Sequence, residues 1–398
     1  MTDGLDEDAP ATTTAIDAKQ GRGAVATAVP TVPTVPTVPT VPERTLAPPI
    51  PVRRVSMADV ARVAGVSAQT VSRVANGHPG VVEATRSRVL EAMAELGYRP
   101  NSAARALKSG TFRTIGVILF SLATTGNVRT LEAIATSAAA EGYAITVIPV
   151  AAPTQSGVHG AFTRLGELAV DAIILLMEVH LLDTAQVSLP PGVQLVVADS
   201  DAGDRYAVVD TDQADGTRQA VEHLLGLGHA TVHHLAGPAH SFAAERRAAA
   251  WRRTLEHAGR EVPPVEHGDW SAASGYEAGL RLAARDGCTA VFVANDQMAL
   301  GLLRALHDSG RRVPEDVSVV GFDDLPDSGE FQPPLTTVHQ DFAEVGRRCV
   351  EQVLRQVREN VHETGTRLVP TWLVRRASTA PPPGGAGTAA TTAAPADR

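Results

Sequence analysis

The chain has 398 residues, 44% of them hydrophobic but only 4% aromatic, and carries a formal net charge of −9. That length supports two or three domains with real cores, and the acidic balance excludes a protein that binds nucleic acid over its whole surface. Two distant cysteines, Cys288 and Cys349, exclude a disulfide framework and read as buried thiols in a reducing compartment. No apolar run approaches the roughly 18–20 residues of a membrane span. The acidic start MTDGLDEDAP lacks the basic and apolar regions of a secretory signal, so a cytoplasmic protein is expected.

Residues 1–52 are low in complexity and include four consecutive Thr-Val-Pro repeats from Thr31 to Pro42. Proline at every third position removes amide donors and favours polyproline II, so a disordered or extended tail is expected. Between Arg53 and Arg113 ten Lys/Arg stand against four Asp/Glu, a balance of +6 that leaves −15 on the remainder. A basic module on an acidic body attracts phosphates at one end and repels them elsewhere.

Within that basic stretch, residues 53–99 are expected to form a small helical headpiece. Ser56 and Asp59 have the spacing of a capping box, residues 57–64 form a helix, and Gly65 allows a left-handed stop. Ser67 caps a second helix over 68–75, which Asn76-Gly77 ends. Val60, Ala61, Ala64, Val66, Val71 and Val74 face one another across the turn, whereas Gln69, Ser72, Arg73 and Asn76 stay outside. Such a pair is a plain helical hairpin or a helix-turn-helix whose second helix enters a major groove. A third helix follows in VVEATRSRVLEAMAELGY, with Val89, Met93 and Leu96 on one face and Gly97 as its cap.

The wording decides between these two readings. The run from Asp59 to Asn76 matches D-V-A-x-x-A-G-V-S-x-x-T-V-S-R-V-x-N at every fixed position. It resembles the headpiece of the lac-repressor/galactose-repressor family. On that reading Gln69 addresses an adenine edge, Arg73 a guanine and Ala68 a thymine methyl. Ser56, Ser67, Thr70, Ser72 and Asn76 are placed for phosphates, which position without specifying. The resemblance also implies that residues 100–113 are a hinge helix, too short to stand alone in water, which pairs with its twin on DNA. Asn101 and Ala104 match that pattern, and Leu107 takes the place of the apolar wedge between base pairs.

From residue 114 to 378 the text alternates between short apolar strands and helices: RTIGVILF, YAITVIPV, AIILLM, QLVVA, TVHHLAG, TAVFVAN and SVVGFDD, with helices over 129–141, 212–227, 243–258 and 298–309. Continuous apolar strands of this kind predict parallel sheets covered on both faces. Roughly 260 residues exceed one doubly wound sheet and suit two lobes. The expected fold is thus an all-α helix-turn-helix headpiece followed by an α/β, two-lobed, periplasmic-binding-protein-like (type I) effector domain.

Resemblance to the same family runs through DGTRQAVEHLLGLGH, LAGP, GDWSAASGY, VANDQMALG, VSVVGFDD and PPLTTVHQDFAEVG. It implies a small effector, commonly a sugar, held by Asp199, Arg247, Trp270, Asn295, Asp323, Gln340 and Phe342. The chemistry suits hydroxyls: carboxylates accept, Arg and Asn donate, and an aromatic ring stacks on a C–H face. Segments 120–127 (FSLATTGN) and 176–178 (LME) depart from the family pattern and leave the kind of sugar open.

Histidines 223, 229, 233 and 234 cluster in sequence, but His233 and His234 point to opposite faces of a strand, so no metal is expected. No catalytic constellation or cofactor motif is visible. The tail 379–398 lacks a leucine heptad, so a homodimer on palindromic double-stranded DNA is expected rather than a coiled-coil tetramer. Two other classes share this body. A sugar receptor for transport would need export, and a sugar-processing enzyme would need an acid–base pair; neither feature is found.

Overall fold

The computed structural model describes residues 55–99, 110–119, 122, 124–150, 155–167, 170–176, 192–200 and 205–384. The 1–52 tail, most of the 100–113 connector and the hinge positions Asn101, Ala104 and Leu107 lie outside the described residues.

The headpiece is three helices: α1 (Met57–Ala64), α2 (Ala68–Ala75) and α3 (Glu83–Leu96). Gly65 takes φ +63° at the turn, where a Cβ would be strained. Ser67 is extended and accepts the Thr70 amide through Oγ at 3.1 Å, capping α2. Gly97 ends α3 in the left-handed region. Val60, Ala61, Ala64, Val71, Val74, Val89, Ala92 and Met93 make the core, so the spacing of apolar residues fixed its inner face.

The body holds two six-stranded sheets. The first runs in the order β11 (Gly365–Val369), β5 (Ala207–Thr211), β4 (Gln194–Ala198), β3 (Ala172–Leu176), β1 (Thr114–Leu119), β2 (Ala144–Pro149), with every pair parallel. The second runs β12 (Thr371–Val374), β10 (Thr336–Gln340), β9 (Ser318–Asp323), β8 (Ala290–Val293), β6 (His233–Ala236), β7 (Glu266–His267). Here only β12 is antiparallel to its neighbour.

Helices α4 (Thr125–Ala140), α5 (Gln155–Glu167) and α10 (Phe342–Glu359) belong with the first sheet. Helices α6 (Gln213–Gly226), α7 (Phe242–His257), α8 (Ala272–Ala283) and α9 (Asp296–Asp308) cover the second. Each sheet is covered on both faces, which is why its central strands β1, β3, β4 and β8 read as apolar runs. The chain passes between lobes three times, after β5, after β10 and between β11 and β12. Consecutive strands thus end beside the same gap, where a cleft opens at the carboxyl ends.

Several elements differ from the sequence expectation. Helices α5, α8 and α10 and strands β5, β7, β10, β11 and β12 were not anticipated, and α4 begins four residues before the expected start at 129. Strand β5, AVVDT, reads poorly because aspartate and threonine interrupt its apolar run, yet all five residues are buried. At the far end the ordered body passes the expected boundary at 378. His229 and Ser318 reach the Ala380 carbonyl at 3.0 and 2.9 Å, and His223 meets the Thr379 hydroxyl at 3.1 Å. Among the described residues no helix is long and apolar enough to cross a membrane.

Candidate functional site

On the outer face of α2, Ser67, Ala68, Gln69, Arg73 and Asn76 are exposed, with Thr70 and Ser72 half-buried; Ser56, ahead of α1, is also exposed. Local bonds hold several of them. Ser67 Oγ lies 3.0 Å from Thr70 Oγ1, and Asn76 Nδ2 donates to the Ser72 carbonyl at 2.7 Å, which fixes the end of the helix. Gln69 and Arg73 are four residues apart on one helical face, the spacing at which two long side chains point the same way.

In the body, all seven residues singled out for an effector line one cavity of about 60 Å³ between the lobes. Asp199 follows β4, Asp323 ends β9, Gln340 ends β10 and Phe342 opens α10. Asn295 caps α9, with Oδ1 accepting the Met298 amide at 2.9 Å, and one of its N–H groups donates to the Trp270 carbonyl at 3.1 Å. Asn295 therefore shapes the wall as much as it offers a donor.

Arg247, 4% exposed on α7, is the hub of the floor. Its Nε donates to Gln213 Oε1 at 2.8 Å, Nη1 donates to the Ala294 carbonyl, and Asp323 Oδ1 stands 3.8 Å away. Its guanidinium stacks over Phe322, 3.9 Å from the ring centroid, and lies 5.6 Å from that of Trp270. Gln340 Nε2 donates to Asp323 Oδ1 at 2.6 Å, which ties a crossing strand to the same carboxylate. Trp270 does two things: it lines the cavity and packs into the second lobe's core over Gly237, where a Cβ would come within 2.4 Å of its ring.

Backbone strain gathers here. Asp199, Trp270 and Asp323 have φ values of +54°, +74° and +118°, and Asp324 beside them +52°. Each such residue costs on the order of 1–3 kcal/mol and persists only where its surroundings over-determine it. Two polar atoms of the wall, the Thr124 hydroxyl and the Trp270 indole N–H, are buried without a hydrogen-bond partner. An orphaned group of that kind calls for explanation.

Segment 120–127, read from the sequence as the pocket side of the first lobe, supplies Thr124, Thr125 and Asn127 to the lining, whereas sequence reasoning missed Thr130 on α4 and Asp210 and Thr211 at the end of β5. Asp210 is 1% exposed. Its visible signal was a carboxylate inside an otherwise apolar strand.

Burial raises the pKa of Asp199, Asp210 and Asp323; nearby carboxylates push the last two further, and Arg246 and Arg247 offset only part. Asp210 and Asp323 reach about 7, whereas an unfolded aspartate titrates near 3.9. The folded state therefore binds more protons than the unfolded chain between these values, and stability falls as pH rises through that window. Relative to an Asp210→Asn variant, the parent should gain thermal midpoint on going from pH 8 to pH 5.5. Parallel melting curves with no such divergence would contradict the assignment.

A helix-turn-helix headpiece ahead of a two-lobed body with a strained polar cleft is the build of a DNA-binding regulator governed by an effector. Residues 56–101 match the model of the bacterial regulatory proteins of the lacI family, and residues 221–379 that of a periplasmic binding protein-like domain. The lactose operon repressor of Escherichia coli (strain K12) is 38% identical over 83% of this chain and 92% of that protein. The HTH-type transcriptional repressor PurR of Pasteurella multocida (strain Pm70) is 32% identical over 77% and 93%. Among solved structures, the lac repressor dimer bound to operator and the anti-inducer ONPF superposes with a TM-score of 0.76, at 36% identity over 82% of this chain and all of that one. The transcriptional regulator CelR–cellobiose complex gives 0.60, at 30% identity over the same shares. The chain belongs to the lacI family of bacterial regulatory proteins: it is an effector-regulated, DNA-binding transcriptional repressor, and its relatives are repressors, not enzymes.

Proposed function

We propose that this repressor binds a palindromic operator as a homodimer and is controlled by a sugar seated between its lobes. One observation carries the reading: seven residues from six separate stretches of the chain converge on a single cavity whose wall holds orphaned polar groups. Carboxylates, two amides, a guanidinium and two aromatic rings in one enclosure suit a ligand with hydroxyls and apolar C–H faces. The cellobiose in the CelR complex and the operator in the lac repressor complex support the two halves of the proposal.

At about 60 Å³ the cavity is far smaller than the ~300–1,000 Å³ of ligand pockets. A sugar enters only if the lobes part, so binding is coupled to their spacing. The effector need only favour the state in which the connector 100–113 is unpaired and Leu107 has left the groove. Linkage then makes operator and effector weaken each other. In the headpiece, Gln69 and Arg73 read bases while Ser56, Ser67, Thr70, Ser72 and Asn76 seat the backbone. Asn101 and Ala104 belong to the paired hinge. No membrane is engaged, and the protein works in the cytoplasm.

Calorimetry of the full chain with cellobiose, lactose, galactose and glucose tests the cleft. Anisotropy on a palindromic duplex selected from genomic DNA tests the switch: a sugar that binds should lower operator affinity at least about tenfold, within the usual range of coupling energies. An enhancer of operator binding would make the effector a co-repressor. Arg73→Ala should cost roughly 1–3 kcal/mol on the selected duplex and relax preference at one base pair. Equal titrations for variant and parent would remove Arg73 from the groove.

A further inference from the structure

Asp210 is on β5 of the first lobe, two residues before the chain crosses to the second. One of its oxygens accepts the Thr211 amide at 2.7 Å. The other accepts Arg246 Nη1 at 2.8 Å, and Arg246 sits on α7 of the opposite lobe, its guanidinium 4.1 Å from the Phe242 ring centroid. The pair therefore spans the two lobes at the cavity wall. Successive residues of α7 thus divide the work: Arg247 turns into the floor and Arg246 clamps the carboxylate.

Charge around the cavity is lopsided. Three carboxylates, Asp199, Asp210 and Asp323, line it among the described residues, against one cation, Arg247. That guanidinium already serves Gln213 and the Ala294 carbonyl. Arg246 is spent on Asp210. Above about pH 7, where Asp210 and Asp323 are ionised, an arriving phosphate would meet their negative charge with no cation left to receive it, and like charges brought together in a dry site repel strongly. A hydroxyl or an ammonium meets acceptors instead. Each Asp210 oxygen carries a second lone pair beyond its bond to Thr211 or Arg246.

We infer that Asp210 is an effector-contacting, specificity-determining residue, held by Arg246 from the other lobe, and that the pair closes the cleft to phosphorylated and acidic sugars while admitting uncharged or amine-bearing ones. This rests on the sugar reading for its ligand, but the charge selectivity is separable from it.

The test uses full-length parent, Asp210→Asn and Asp210→Asn/Arg246→Met, followed by thermal melting and calorimetry. The probes are inorganic phosphate, glucose, glucose 6-phosphate, galactose and galactose 6-phosphate. The parent should take each ester about 100-fold more weakly than its neutral sugar, or not at all. Asp210→Asn releases Arg246, so inorganic phosphate and the esters should now raise its melting temperature. The double variant, with no released cation, should lose that gain. Asp210→Asn should also bind the neutral sugar at least about tenfold more weakly, one lost hydrogen bond to a charged acceptor. If Asp210→Asn does not fold, Arg246→Gln is read instead: glucosamine should gain about tenfold over glucose relative to the parent, because the carboxylate has lost its cation. Esters that stabilise the parent as well as the neutral sugars do would overturn the inference. So would an Asp210→Asn chain indistinguishable from the parent toward both phosphate and sugar. A parent that ignores glucose and galactose, together with a phosphate response confined to Asp210→Asn, sinks the sugar reading and leaves the selectivity standing.

Discussion

Arg247→Met is expected to abolish the effector response and to lower unfolding stability by about 3–5 kcal/mol at pH 8, the usual cost of removing one member of a buried charged network. Methionine fills similar volume, so the loss is not a packing effect. The guanidinium joins Gln213, the Ala294 carbonyl, Asp323 and the Phe322 ring, from three separate parts of the chain. Without it, Asp323 faces Asp199 and Asp296 with only Gln340 in support, since those acids already raise its pKa. Asp323 then takes a proton at still higher pH than about 7, so the deficit should shrink from pH 8 to pH 6. Urea unfolding at both values reads this directly. A deficit that grew on acidification would show that the network is not organised around this charge. Operator binding without effector should survive, because nothing in α2 depends on the cleft residues.

A second large effect is expected from Asp296→Ala. Asp296 is fully buried at the first turn of α9 and is not part of the inter-lobe cavity's lining. Its Oδ2 accepts the Leu325 amide at 3.0 Å and the Ser328 hydroxyl at 2.6 Å, while Oδ1 accepts Thr337 Oγ1 at 2.5 Å. Hydrogen bonds to a charged acceptor contribute about 1.5–3 kcal/mol each, and three buried donors would be orphaned. A loss of about 4 kcal/mol is expected after partial relaxation. The bonds also hold the segment from Asp323 to Leu325, whose left-handed Asp323 and Asp324 would otherwise relax. The effector response should fall with stability, whereas Ser328→Ala, removing one partner, should cost only about 1 kcal/mol and keep the response. Equal melting temperatures for Asp296→Ala and the parent would show that the carboxylate is dispensable. Gly321 belongs to the same device, since a Cβ there would stand 2.2 Å from Asp296 Oδ1.

Much of the site was legible in the chain through its resemblance to the family. Asp199 and Asp323 also stand where an apolar run stops, at the carboxyl ends of parallel strands where a cleft opens. Asp210 was not legible by that rule: its strand was hidden by its own polar residues, and its partner lies 36 residues away on another lobe. Asp296 was hidden too. Next to Asn295 it reads as a first-turn acid, a common surface feature of helices, and only the fold turns it toward Ser328 and Thr337.

The amino-acid order by itself determined the three headpiece helices, the caps at Ser67, Asn76 and Gly97 and the side of α2 that stays exposed, because those features depend on neighbours within a few residues. It also determined the two-lobed α/β class, since strands buried on both faces are apolar throughout. Tertiary structure alone decided that Arg246 takes Asp210 and Arg247 faces Asp323, that Asp210 lines the cavity and that Asp296 stands behind it. Those choices are made by groups brought together from far along the chain in a poorly solvated space, where position sets the energy of a charge.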